Sequence, residues 1–198
     1  MRSTGAIVLI VILLILGLGG CAGVSTYNSL VGLDENVERY WGDVQTQYQR
    51  RADLIPNLVN TVKGAANFEQ ETLESVTNAR ARATSINIDA DDLSDPAKLQ
   101  QFQEAQSELG RSLGRLLVVA ENYPQLQATQ AFRDLQAQLE GTENRITVAR
   151  RDFNGSVQRY NTAVRSFPAS MLAGVFGFDR RAAFEADPGS ESAPTVSF

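Results

Sequence analysis

The sequence predicts an all-α protein, an antiparallel up-and-down four-helix bundle behind an N-terminal membrane anchor. Three observations carry that expectation. Apolar residues recur every three or four positions over most of the chain, Gly and Pro are sparse through its middle, and no charged residue falls between Gly5 and Leu33.

The N-terminal segment, residues 1–21, combines Arg2, an aliphatic run from Ala6 to Leu18 and then small residues. Two readings stand side by side. In one it is a signal peptide whose Leu18-Gly19-Gly20-Cys21 resembles a bacterial lipobox, so that Cys21 is lipidated and its acyl chains, at roughly 0.8 kcal/mol per buried CH₂, hold the protein on a bilayer. In the other it stays as a transmembrane helix, since Ala6 to Val24 just reaches the roughly 20 residues a span requires. Under both, Arg2 stays cytoplasmic and the domain faces the extracytoplasmic, periplasmic side. A single arginine leaves a cytoplasm-facing topology open.

The first helix is expected from Ser29 to Gly64. Val37, Trp41, Val44, Tyr48, Ala52, Ile55, Val59 and Val62 mark its apolar face, and Pro56 should kink it without ending it. Asn67 and Gln70 resemble a capping box, which starts a second helix near Phe68 that fades at Thr84. Residues 86–95 read as a loop. Asp95-Pro96 then reads as an N-cap followed by proline at the first helical position, opening a third helix that closes at Asn122-Tyr123-Pro124. The fourth and longest helix is expected from Gln125 to Ser166, with Phe132, Leu139, Ile146, Phe153, Val157 and Tyr160 along its stripe. Each helix has one apolar face, so none is stable alone, and short connections favour antiparallel neighbours. Met171 to Phe178 is expected to pack on the bundle end, and residues 179–198 to form a flexible tail. Its last residues, Val196-Ser197-Phe198, have the alternation of a ligand for a PDZ-type groove; disorder is the plainer reading.

Composition removes several function classes. With no histidine and one cysteine, the chain builds no intrachain disulfide, no His/Cys zinc site and neither Ser-His-Asp nor Cys-His catalysis. A net charge of −5 gives no general drive toward nucleic acid. The acidic loop of Asn87, Asp89, Asp91, Asp92 and Asp95 fails the calcium-loop pattern, because Asp92 stands where glycine is needed and Lys98 where the bidentate glutamate belongs. No cofactor or metal is expected.

Several blocks resemble the LemA family. They are Tyr27-Asn28-Ser29-Leu30-Val31; Arg50 through Val59 with Val62-Lys63-Gly64; Glu140 through Ile146 with Ala149 through Asn154; and Tyr160-Asn161, Phe167-Pro168 and Phe176-Gly177-Phe178. The resemblance runs from Tyr27 to the C-terminus, with the bundle at residues 27–178. It implies a helical bundle behind an N-terminal membrane segment, and no established enzymatic activity. Phe68 departs from the family, many of whose members carry histidine before the position of Glu69. The lipobox-like Cys21 is likewise no general family feature.

The candidate partner-docking residues are Arg50, Arg51, Asp53 and Asn57 beside the proline, with Glu143, Asn144, Arg145, Arg150, Arg151 and Asn154 on the fourth helix. The competing reading is plain: salt bridges within the bundle, and interhelical hydrogen bonds from Asn154 and Asn161. A non-enzymatic scaffold or adaptor, bound to the bilayer and to a protein partner, is the leading functional expectation. A carboxylate-dependent hydrolase and an envelope protein that self-associates into homo-oligomers are the alternatives.

Overall fold

The computed structural model describes residues 2–64 and 68–186, without the side chains of residues 2–4, 6–8, 10–12, 15 and 19. Every regular element among them is helical. α1 runs from Arg2–Lys63, α2 from Gln70–Ser85, α3 from Pro96–Ala120, the single turn α4 from Pro124–Gln127, α5 from Gln130–Arg165 and α6 from Ala169–Phe176. A 3-10 turn, Asp91–Ser94, precedes α3.

Three boundaries differ from the sequence-based expectation. The first helix does not begin at Ser29: it is continuous from Arg2, because Gly17, Gly20 and Gly23 weaken a helix without supplying a competing turn. The second helix takes Glu69 as its N-cap and starts at Gln70; Asn67 lies outside the described residues. The fourth long helix starts at Gln130, not Gln125. Pro124 opens only one turn, and Thr129 then caps α5 by accepting a hydrogen bond from the Phe132 backbone N–H at 3.4 Å. The Asp95 cap is as expected: its side chain accepts from Ala97 N at 2.9 Å, with Pro96 in the first turn. Among the described residues no helix is long and apolar enough to cross a membrane.

α5 runs antiparallel to α1, since Trp41 meets Phe153 and, further along, Arg51 meets Glu143. The α2–α3 hairpin packs against this pair. Pro56 shows why it is tolerated inside α1. Lacking an N–H, it leaves the carbonyl of Ala52, four residues back, without its helical partner. Arg80 of α2 donates from Nε to that carbonyl at 2.8 Å. The acceptor freed by the proline is therefore satisfied inside the protein and is not offered to a partner.

The core has two apolar parts. One gathers Val37, Trp41, Val44, Tyr48, Leu99, Phe102, Ile146, Phe153, Val157 and Tyr160; the other gathers Ile55, Leu58, Val62, Val76, Leu109, Leu116, Phe132 and Leu139. Trp41 is the hub of the first. Its ring lies 5.5 Å from Phe102 and 5.4 Å from Phe153, and its Nε1 donates to the Ile88 carbonyl at 3.0 Å.

Tyr160 is fully buried, and its hydroxyl has no partner within ordinary hydrogen-bond geometry among the described residues. Loss of solvation, followed by the nearby charge of Asp34, pushes its phenol up to about 12. Between the ordinary tyrosine value of 10.0 and about 12 the unfolded chain ionises while the folded protein holds the proton, so stability falls as pH rises through that window. We expect Tyr160→Phe to flatten this alkaline decline without loss of stability at pH 7, as read by urea unfolding at pH 7, 9 and 11.

Residues 179–186, expected to belong to the flexible tail, are instead seated on the protein. Residues 178–186 form an extended strap along α5. Asn161 brackets the backbone of Arg181, donating to its carbonyl at 2.8 Å and accepting from its N–H at 2.9 Å. Asn154 brackets Phe184 in the same way, at 2.9 Å in both directions. The spacings match: seven residues of helix rise about 10.5 Å, and three residues of extended chain span about 10 Å. Asn154 and Asn161 therefore hold the strap, in place of the bonds between helices that the sequence had led us to expect. The expected tail from Asp187 to Phe198, with its terminal motif, lies outside the described residues.

Candidate functional site

The segment of α1 around Pro56 presents its polar residues to two different sides. Arg50, Asp53 and Asn57 recur at helical spacing on one face and line an open groove of about 850 Å³ between α1, the end of α2 and the loop before α3. Gln45, Gln49, Thr84, Asn87 and Gln106 add to its polar lining. All three of Arg50, Asp53 and Asn57 are exposed, and Asp53 accepts from Gln49 Nε2 at 2.8 Å.

Arg51 points elsewhere. Its side chain is only 4% exposed, and its guanidinium donates to Gln106 Oε1 at 2.6 Å, the Gln106 carbonyl at 3.1 Å and Glu143 Oε2 at 2.9 Å. Gln106 Nε2 in turn donates to the Ala83 carbonyl at 3.3 Å. One residue from each of α1, α2, α3 and α5 thus meets in a single polar layer. That layer lies between the two apolar parts of the core, with Tyr48 and Ile55 on either side of it along α1. Arg51 is thus buried and its donated bonds are internal to the protein.

The candidates on α5 are dispersed. Glu143 and Arg150 line a second open groove, of about 680 Å³, on the side where Arg51 emerges toward Glu143. Arg150 places its guanidinium 4.7 Å from the Phe184 ring centre and donates to the Glu185 carbonyl at 3.3 Å. Arg151 pairs with its neighbour Asp152 at 3.1 Å, and Asn144 and Arg145 are exposed. Asn154 is committed to the strap. Of the ten residues, the structure brings together Arg50, Asp53 and Asn57 on one side, and Arg51, Glu143 and Arg150 on the other.

The sequence reading missed Arg181. It forks onto Asp34 with bonds of 3.0 and 3.1 Å and donates to the Ala90 carbonyl at 3.1 Å, joining the strap to α1 and to the loop. Its contacts are internal. In the acidic loop, Lys98 hydrogen-bonds Asp92 and holds that carboxyl below the usual range, which suits a surface ion pair and opposes a proton-donor role. Among the described residues no cluster of three or more Cys, Asp or Glu could hold a metal ion. Phe68, at the position where the family often has histidine, stacks 5.0 Å from Tyr123 as a packing residue.

The blocks around Arg50–Val59 and Glu140–Asn154 are the ones that build the polar layer, one groove and one anchor point of the strap. The sequence pattern of the LemA family matches residues 40–198. The chain belongs to the LemA family. The match starts at Tyr40, later than the Tyr27 expected from the motifs. Among curated relatives, magnetosome protein MamQ 2 of Paramagnetospirillum magneticum is 24% identical over 182 residues, covering 84% of this chain and 67% of the relative. Magnetosome protein MamQ of Magnetospirillum gryphiswaldense is 25% identical with the same coverage. Protein LemA of Metamycoplasma hominis is 23% identical over 150 residues, covering 76% of this chain and 64% of that protein.

Proposed function

We propose that this LemA-family chain is a membrane-anchored, up-and-down four-helix bundle acting as a non-enzymatic scaffold or adaptor in the bacterial cell envelope. Its N-terminal segment holds it to the bilayer, through a lipidated Cys21 or as a span, with the domain on the extracytoplasmic side. The observation that carries the adaptor reading is the groove lined by Arg50, Asp53 and Asn57. It is open, its charges are exposed, and both hydrogen-bond donors and acceptors line it. A protein segment bearing charges of both signs would match it. The non-enzymatic part rests on the residue types that are missing. Three relatives named as magnetosome proteins support a role tied to a cellular structure rather than to a soluble substrate.

The test is capture from solubilised membranes with the full chain, compared with Arg50→Glu/Asp53→Lys in the groove and Arg115→Glu on the exposed face of α3. The reading expects a partner held by the native chain and by Arg115→Glu, and lost from the groove variant at unchanged helix content. A partner held equally by all three, or no protein above background, overturns it.

A further inference from the structure

The end of the protein nearest the N-terminal segment carries an apolar surface that no described residue covers. From Ser166 to Phe178 there is no charged residue. Within that stretch Phe167 is 82% exposed, Met171 67%, Val175 77% and Phe176 57%. The opposite side of α6 is packed: Ala169 and Ala173 are buried in the core. α6 is thus seated on the protein by its small residues and turns its large ones outward, the reverse of what a helix end in water requires.

What lies beside it identifies the occupant. Tyr27 of α1 meets Phe176 at 4.9 Å and Phe178 at 5.6 Å between ring centres. Tyr27 sits near the end of the uncharged run Gly5–Leu33, and Asp34, the next charged residue, is engaged by Arg181. That run rises about 43 Å along α1, against about 30 Å of hydrocarbon in a bilayer. A span beginning near Gly5 leaves the hydrocarbon close to Val24, so Tyr27 falls at headgroup depth. If instead the chain is held by acyl groups on Cys21, Tyr27 stands six residues, about 9 Å, from them. Both anchors bring the aromatic cluster and α6 to the same level, where amphipathic rings and apolar helix faces are favoured.

We infer that Phe167, Met171, Val175 and Phe176 form an interfacial foot that inserts into the lipid surface around the anchor and fixes the bundle upright on the membrane. The occupant is the bilayer itself, argued from continuity with the uncharged run on α1. The inference rests on the anchored reading above.

The test uses the native full chain, one copy per lipid nanodisc, with a diazirine near the glycerol end of the acyl chains. After illumination, tryptic peptides are read by mass spectrometry. Ser166–Arg180 contains the whole foot; the anchor lies in Ser3–Arg39, or in acylated Cys21–Arg39 where the leader has been removed; and Leu116–Arg133 lies at the opposite end of the bundle. The expected result is label on both the anchor peptide and Ser166–Arg180, the latter at least tenfold above Leu116–Arg133. Label on the anchor peptide with only background on Ser166–Arg180 overturns the foot and leaves anchoring intact; a second copy covering α6 is excluded by the single-chain discs. A chain that does not stay with the discs overturns the anchored reading and the foot together.

Discussion

Phe184→Ala should be among the most damaging single substitutions in this protein, lowering stability by about 3–5 kcal/mol. Phe184 belongs to a segment without secondary structure, yet it is only 6% exposed. Its ring lies 5.6 Å from Phe153 and 6.0 Å from Trp41, so truncation opens a cavity beside the aromatic hub of the core. It also removes the surface on which the Arg150 guanidinium rests. With the ring gone, only polar contacts, from Asn154, Asn161, Gln103 and Arg150 and through Arg181, would hold the chain, and at about 1 kcal/mol per bond they offset only part of the entropy of an extended segment. Urea unfolding of the full chain in detergent micelles, followed by Trp41 emission, measures the effect. Glu185→Ala is the contrast. The contacts of Glu185 with Gln103 and Arg150 go through its backbone carbonyl, so loss of its exposed side chain should change stability by less than about 0.5 kcal/mol. Equal midpoints for the two variants would mean the strap is not seated on α5.

The strap also marks the limit of what the sequence discloses. Helices announced themselves because Val37, Trp41, Val44 and Tyr48, or Ile146, Phe153, Val157 and Tyr160, repeat at the period of a helix face. An extended segment has no such period when only one of its residues points inward. Phe184, set in a polar and charged run, carried the signal only together with Asn154 and Asn161, whose heptad spacing was visible and was assigned to bonds between helices. The same limit applies to the candidate site. Arg50, Arg51 and Asp53 are consecutive or nearly so, and sequence groups them as one patch. On a helix, adjacent residues diverge by about 100°, so Arg51 turns into the core while Arg50 and Asp53 face the groove. Pro56 was legible as a kink that frees a carbonyl, but Arg80 as its donor was not, because that contact crosses from another helix.

Arg51→Ala should cost about 2–4 kcal/mol, and the way the loss responds to further substitution identifies its origin. Two contributions compete. One is the ion pair with Glu143, whose carboxylate is 58% exposed and regains water when the arginine is removed. Such a pair is worth about 1 kcal/mol or less, so Glu143→Gln should lie in that range. The other is the burial of the arginine's stem and its charged hydrogen bonds to Gln106, which has no comparable access to solvent. This second contribution dominates. It predicts that Arg51→Met, which restores most of the volume, recovers much of what alanine loses even though it leaves Glu143 unpaired. The methionine variant should nevertheless pay in specificity, because the polar layer makes the two apolar parts of the core non-equivalent and penalises any sliding of α3 or α5 along α1. Amide hydrogen exchange checks this. In Arg51→Met, protection along Ile55–Val62 and Leu139–Ile146 should fall more than the midpoint of global unfolding does. If Arg51→Met and Arg51→Ala were equally destabilised, the polar contacts to Gln106 and Glu143, rather than the packing of the stem, would be what Arg51 contributes.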